Sequence, residues 1–159
     1  MVAFLHNLRK SNLLNLFFRT LQLVQGLVVI GLYGVDLNRA NREHKYSDGK
    51  WVFAVVVGSL AAFTAVAYGL VSVFLQYQTV ARLFVWDWIL FILWAALSGI
   101  FGSMYIGEKT EMEWGIHRMK IAVGFDLAGL VLWFITAVMG TWWIFSQRRV
   151  AGRVSGGKD

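Results

Sequence analysis

The chain has 159 residues, 58% of them hydrophobic, a mean hydropathy of +0.59, and neither Pro nor Cys, which excludes an ordinary water-soluble domain of this size. Without Cys there is no disulfide framework and no S-palmitoyl anchor. The net charge of +6 is distributed around long apolar stretches, so no basic surface domain exists to bind a nucleic acid.

Four apolar segments follow in order, at about 16–37, 51–75, 86–106 and 116–145. At about 1.5 Å of helix per residue each is long enough to cross a hydrocarbon layer of about 30 Å. The expected fold is therefore an all-α membrane protein, an antiparallel four-transmembrane-helix bundle forming one domain over residues 1–159. Arg9 and Lys10 ahead of the first segment resemble a secretion signal, but the apolar run continues through LVQGLVVIGLYGVDL with no small-x-small cleavage site, and a mature helix is the preferred reading. The connections are short: NRANREHKYSDGK at 38–50, residues 76–85, and GEKTEMEWGIH at 107–117. Consecutive helices are thus expected to pack as neighbours. Residues 146–159 form a short basic tail, expected to fray from Ala151 onward.

An even number of spans puts both termini on one side. Eight of the fifteen basic residues fall on that side, but only Asp87 and Asp159 of the nine acidic ones do. The basic count favours cytoplasmic termini, and the resulting charge asymmetry suits anionic lipid, with Arg9, Lys10, Arg148 and Arg149 as contacts.

Lengths of uncharged sequence place the charges along the bilayer normal. Sixteen uncharged residues separate Arg19 from Asp36, about 24 Å of helix, so both side chains are expected to reach toward headgroups, with Arg39 a local partner for Asp36. Asp87 precedes twenty uncharged residues, Trp88 to Gly107, and lies between Trp86 and Trp88. It is expected to mark the cytoplasmic membrane edge at the first turn of the third helix, where the helix dipole favours an acid. Asp126 allows two placements. The uncharged run Leu127–Gln147 puts it at the outer boundary, whereas an inner aromatic belt at Trp142 and Trp143 sinks it by more than a turn, making it the best candidate for an interhelical polar contact.

Small residues recur every four positions at Ala95, Gly99, Ser103 and Gly107 in the third segment. Ala54, Gly58 and Ala62 with Ala61, Ala65 and Gly69 do so in the second, Gly124 with Ala128 in the fourth, and Gly26 with Gly34 more weakly in the first. Such stripes permit close backbone approach in lipid, within the bundle or between subunits.

Catalytic chemistry finds little support. His6, His44 and His117 lie in different segments, Glu113 and His117 alone make a weak metal site, and no nucleophile elbow or glycine-rich phosphate loop is present. No cofactor or metal ligand set is expected. The middles of the spans read as apolar, relieved by Thr64, Ser98 and Thr136, which argues against an ion pathway within one chain and leaves a pathway between subunits as the alternative.

Arg19 before the first span, GLYG at 31–34, the Trp86-Asp87-Trp88 opening of the third span and its continuation AALSGIFG at 95–102 together resemble the MARVEL-domain family, most closely its short fungal members, over roughly residues 12–147. The resemblance implies a non-enzymatic role in organising membranes, cytoplasmic termini, and membrane lipids, a second copy or other membrane proteins as partners. It also implies plasma membrane, or secretory endomembrane, as the location. The chain departs from the family pattern in having no Cys pair in its outer loops and a short tail.

Overall fold

A computed structural model describes residues 10–42, 49–74, 84–106 and 114–155. They form four helices, α1 (Lys10–Arg42), α2 (Gly49–Phe74), α3 (Phe84–Tyr105) and α4 (Trp114–Ser155). With no Pro in the chain, nothing removes a backbone donor inside any of them. Each helix contains a stretch long and apolar enough to span a bilayer: Leu13–Arg39, Gly49–Ser72, Phe84–Tyr105 and His117–Ser146. Together they form a multi-pass, all-helical membrane bundle, close to the expected spans. Two helices run past the expected ends: α1 reaches from Lys10 to Arg42, and α4 runs unbroken to Ser155 through Ala151. A single Gly152 among Arg, Val and Ala costs only about 1 kcal/mol of helix propensity.

α1 packs extensively on α2, α3 on α4, and α1 on α4; α2 meets α3 over a smaller area. The inward positions follow alternating steps of three and four residues. On α3 they are Asp87, Leu90, Trp94, Leu97 and Phe101, and on α4 Met119, Ala122, Asp126, Gly129, Trp133 and Thr136, all buried. This is the spacing that keeps one side of a helix against its neighbours in a bundle. The outward positions are large and apolar: Phe63, Ile92 and Trp142 are 75%, 62% and 76% exposed. In water such a surface would drive aggregation; in hydrocarbon it is the solvated face.

The α1–α2 interface is built on missing side chains. A Cβ on Gly26 would lie 3.0 Å from the Gly58 carbonyl oxygen and 3.2 Å from the Ala62 nitrogen, and one on Gly58 would meet Ile30 Cγ1 at 3.0 Å. Ala54, Ala61 and Ala65 continue the same buried side of α2. Backbones that approach this closely gain dispersion contact along their length, the main source of helix association where lipid tails remove the hydrophobic driving force.

The stripe on α3 behaves differently. Ala95, Gly99 and Ser103 are exposed, and a Cβ on Gly99 would touch nothing within 4 Å. Gly124 and Ala128 on α4 also face outward, with open space around Gly124. Gly107 lies outside the described residues. Of the expected packing positions, Gly58 with Gly26, Ala54, Ala61, Ala62, Ala65 and Gly69 are internal to the bundle, whereas Ala95, Gly99, Ser103, Gly124 and Ala128 face outward. Four-residue spacing identifies a stripe but not its direction, and on α3 the inward direction is taken by Leu90, Trp94, Leu97 and Phe101.

Candidate functional site

The inward side of α1 is polar for most of its length. Asn15, Arg19, Gln22, Gln25, Tyr33 and Asp36 are all buried, interrupted only by Gly26 and Val29. A core stripe of this composition survives in a membrane only if its groups find partners, because no water competes to solvate them. For Arg19, Gln22, Gln25, Tyr33 and Asp36 partners come from the other helices, while Asn15 Nδ2 has none within the protein.

At one end lies a node to which all four helices contribute. Arg19 from α1 forms a two-pronged ion pair with Asp87 from α3, Nη2 to Oδ2 at 2.7 Å and Nη1 to Oδ1 at 3.1 Å. Arg19 Nη1 also donates to Gln22 Oε1 at 2.9 Å, and Gln22 Nε2 donates in turn to Thr136 Oγ1 on α4 at 3.1 Å. Tyr68 of α2 and Trp133 of α4 lie against the guanidinium at 4.7 and 5.3 Å from ring centre to Cζ. Planar fork geometry, cation–π contact and burial together define a strong, orientation-specific interaction.

The residues beside Asp87 extend this node sideways. Trp86 Nε1 donates to Thr64 Oγ1 on α2 at 3.0 Å, and Trp88 Nε1 donates to Thr141 Oγ1 on α4 at 3.0 Å. Successive helical residues point about 100° apart. Trp86, Asp87 and Trp88 therefore reach α2, α1 and α4 respectively, with Thr136 of α4 also close to Asp87.

Further along the stripe, the Tyr33 hydroxyl donates to Asp126 Oδ2 of α4 at 2.6 Å, and the Tyr33 ring packs on Phe101 of α3 at 4.4 Å. Gln25 Nε2 donates to the Phe125 carbonyl at 3.1 Å. At the far end Asp36 pairs with Arg118 of α4.

These positions correct two expectations. Arg19 and Asp87 do not reach outward to headgroups: each is 3% exposed, and each is the other's partner. Asp87 is therefore a bundle residue, facing its partner from the first turn of α3. Length arguments measure depth along the helix axis and say nothing of direction around it, so two opposite charges at the same depth can meet across the bundle. Asp36 is paired chiefly by Arg118 of α4, with the exposed Arg39 adding a weaker charge interaction. Asp126 is fully buried and bonded between helices, Tyr33 being one of the donors its type allows.

Sequence reasoning overlooked Asn15, Gln22 and Gln25. The signal was present: with Arg19, Tyr33 and Asp36 they recur on one helical side, and reading the first span as uniformly apolar hid it. Arg149 is exposed and borders, with Trp142, Phe145 and Ser146, a surface pocket of about 80 Å³. Arg9 and the side chains of Lys10 and Arg148 lie outside the described residues. Among the described residues no group of three or more His, Cys, Asp or Glu converges to hold a metal. No family model matches the chain, and no curated protein or solved structure is significantly similar to it.

Proposed function

We propose that this chain is a non-enzymatic tetraspan that organises or stabilises a specialised membrane domain through lateral association with lipid, copies of itself or other membrane proteins. The observation that carries this reading is the division of labour between the two sides of α3. Its inner side holds the bundle together through Asp87, Trp94 and Phe101, while Ala95, Gly99 and Ser103 face outward with open space at Gly99. A small-residue surface lets another helix or a rigid lipid approach the backbone closely. The resemblance of Trp86-Asp87-Trp88 and the AALSGIFG run to the MARVEL-domain family supplies the class of role.

In this reading the helices run antiparallel with both termini in the cytoplasm, in the plasma membrane or a secretory endomembrane. Arg9, Lys10, Arg148 and Arg149 then face the cytoplasmic leaflet, where anionic headgroups attract them. The test is the distribution of the tagged full-length chain in living membranes. Clustered protein that disperses on Gly99→Leu supports the proposal; uniform distribution of the unsubstituted chain overturns it.

The polar stripe of α1 favours a second reading, a small transporter or channel subunit, because facing polar residues across a span are the usual lining of a pathway. Its test is solute flux through liposomes containing the purified protein. Flux that is abolished by Asp126→Asn would replace the organising role.

A further inference from the structure

Between the ion-pair node and the Asp36–Arg118 pair lies a second polar cluster whose groups are buried but incompletely bonded. Asp126 Oδ1, Gln25 Oε1, Trp94 Nε1 and Ser98 Oγ have no hydrogen-bond partner, and their residues are between 0% and 7% exposed. A buried polar group without a partner is costly, so four of them together require an explanation.

Their placement brings them to one region. Gly129 is the common point: a Cβ there would fall 2.5 Å from Gln25 Nε2, 2.9 Å from Gln25 Cδ and 2.9 Å from Trp94 Cδ2. The missing side chain at Gly129 thus lets Gln25 of α1 and Trp94 of α3 converge on α4. Asp126 lies one turn before Gly129 on the same buried side, and Gln25 Nε2 is bonded to the carbonyl of the adjacent Phe125. Ser98 lies on α3 between Trp94, which meets Gly129, and Phe101, which packs on the Tyr33 whose hydroxyl holds Asp126. Three helices therefore contribute to the cluster.

The chemistry of the set selects its ligand. Two members, Asp126 Oδ1 and Gln25 Oε1, are oxygens able to accept; Trp94 Nε1 can only donate; Ser98 Oγ can do both. A bare cation would meet the Trp94 N–H dipole end-on, and an anion would meet the Asp126 carboxyl. A molecule that both donates and accepts satisfies all four. We propose that the bundle interior binds ordered water here, one or a few molecules bridging Asp126, Gln25, Trp94 and Ser98. A buried water needs two to four polar partners, and this cluster offers four, whereas purely apolar cavities stay dry. The water is thus a structural bridge between α1, α3 and α4.

The experiment is X-ray hydroxyl-radical footprinting of the full-length protein in lipid nanodiscs, in ¹⁸O-labelled water, with rates normalised to each free amino acid. Radiolysis creates radicals from bound water at its site, so a buried residue beside such water is labelled while its dry neighbours are not. Trp94 should be labelled about tenfold faster than Phe101, which is equally buried but has no polar atom to hold water. Radicals generated chemically in bulk solution should label neither. In Gln25→Leu/Asp126→Leu, which removes both acceptors, Trp94 labelling should fall to the Phe101 level. Trp94 protected like Phe101 in the unsubstituted protein would overturn the proposal, and that comparison decides it even if the double variant does not fold. Labelling that persists unchanged in a folded double variant would also overturn it. So would a sodium- or potassium-dependent rise in thermal stability lost in Asp126→Asn, which would assign the cluster to a cation.

Discussion

The first helix holds its neighbours in two opposite ways. Against α2 it offers Gly26, and the contact works because Gly58 and Ala62 also present almost nothing, so the backbones themselves meet. Against α3 and α4 it offers Arg19, Gln22, Tyr33 and Asp36, and the contact works because each finds a specific partner. The first kind of interface is dense and short-ranged; the second reaches across the bundle and specifies which atoms must meet. In lipid both substitute for hydrophobic burial, which cannot discriminate between a neighbouring helix and the surrounding acyl chains.

Substitutions can separate the two. The largest effect is expected at the ion pair. Arg19→Leu or Asp87→Leu alone leaves a buried charge without its partner and should destabilise the bundle by about 3–5 kcal/mol, measured by denaturant unfolding in detergent. The double substitution Arg19→Leu/Asp87→Leu should recover most of that loss. Two losses that merely add would mean that the charges do not act as a pair. Next comes the close-packed side. Gly26→Val places branched carbons where a single Cβ would already meet the Gly58 oxygen at 3.0 Å, and about 1–3 kcal/mol should be lost. If Gly26→Val unfolds at the same denaturant concentration as the parent, the α1–α2 backbone contact is not what stabilises that interface.

Smaller again is Tyr33→Phe, which removes a single interhelical hydrogen bond. Membrane helix bonds of this kind average about 0.6 kcal/mol and reach about 1.7. Steric trapping in bicelles resolves a change of that size, and a loss as large as that of Arg19→Leu would make Asp126 as strong a polar anchor as Asp87. The smallest effect on folding belongs to Gly99→Leu. Nothing lies within 4 Å of a Cβ there, so unfolding of the monomer should be unchanged even where lateral clustering is lost. A destabilised monomer would place that side of α3 inside the bundle after all.

The number and order of the helices, and roughly the extent of their apolar spans, were legible from hydropathy, since a span is a property of a run of residues. What hydropathy could not supply was direction around each helix. The depth of Asp87 was measured along its axis, yet its environment depends on facing Arg19, a relation between two segments 68 residues apart. The same limitation put Ala95, Gly99 and Ser103 among packing residues without saying which side they face. Gln22 and Gln25 were legible in principle, because they continue the three- and four-residue steps through Arg19 and Tyr33. Their partners, Thr136 Oγ1 and the Phe125 carbonyl, were not, since any hydroxyl or exposed carbonyl on three other helices would have fitted the sequence equally well.

The Trp86-Asp87-Trp88 triplet has one more consequence. Because it sends three adjacent side chains to three different helices, it sets the rotation of α3 about its own axis, much as a key with three teeth admits one orientation in a lock. Inserting one residue after Trp88 would turn everything beyond it by about 100°, bringing Ala95, Gly99 and Ser103 round from the outer surface. The aim of the small-residue face toward the membrane is thus set about two to four turns away, at the ion pair inside.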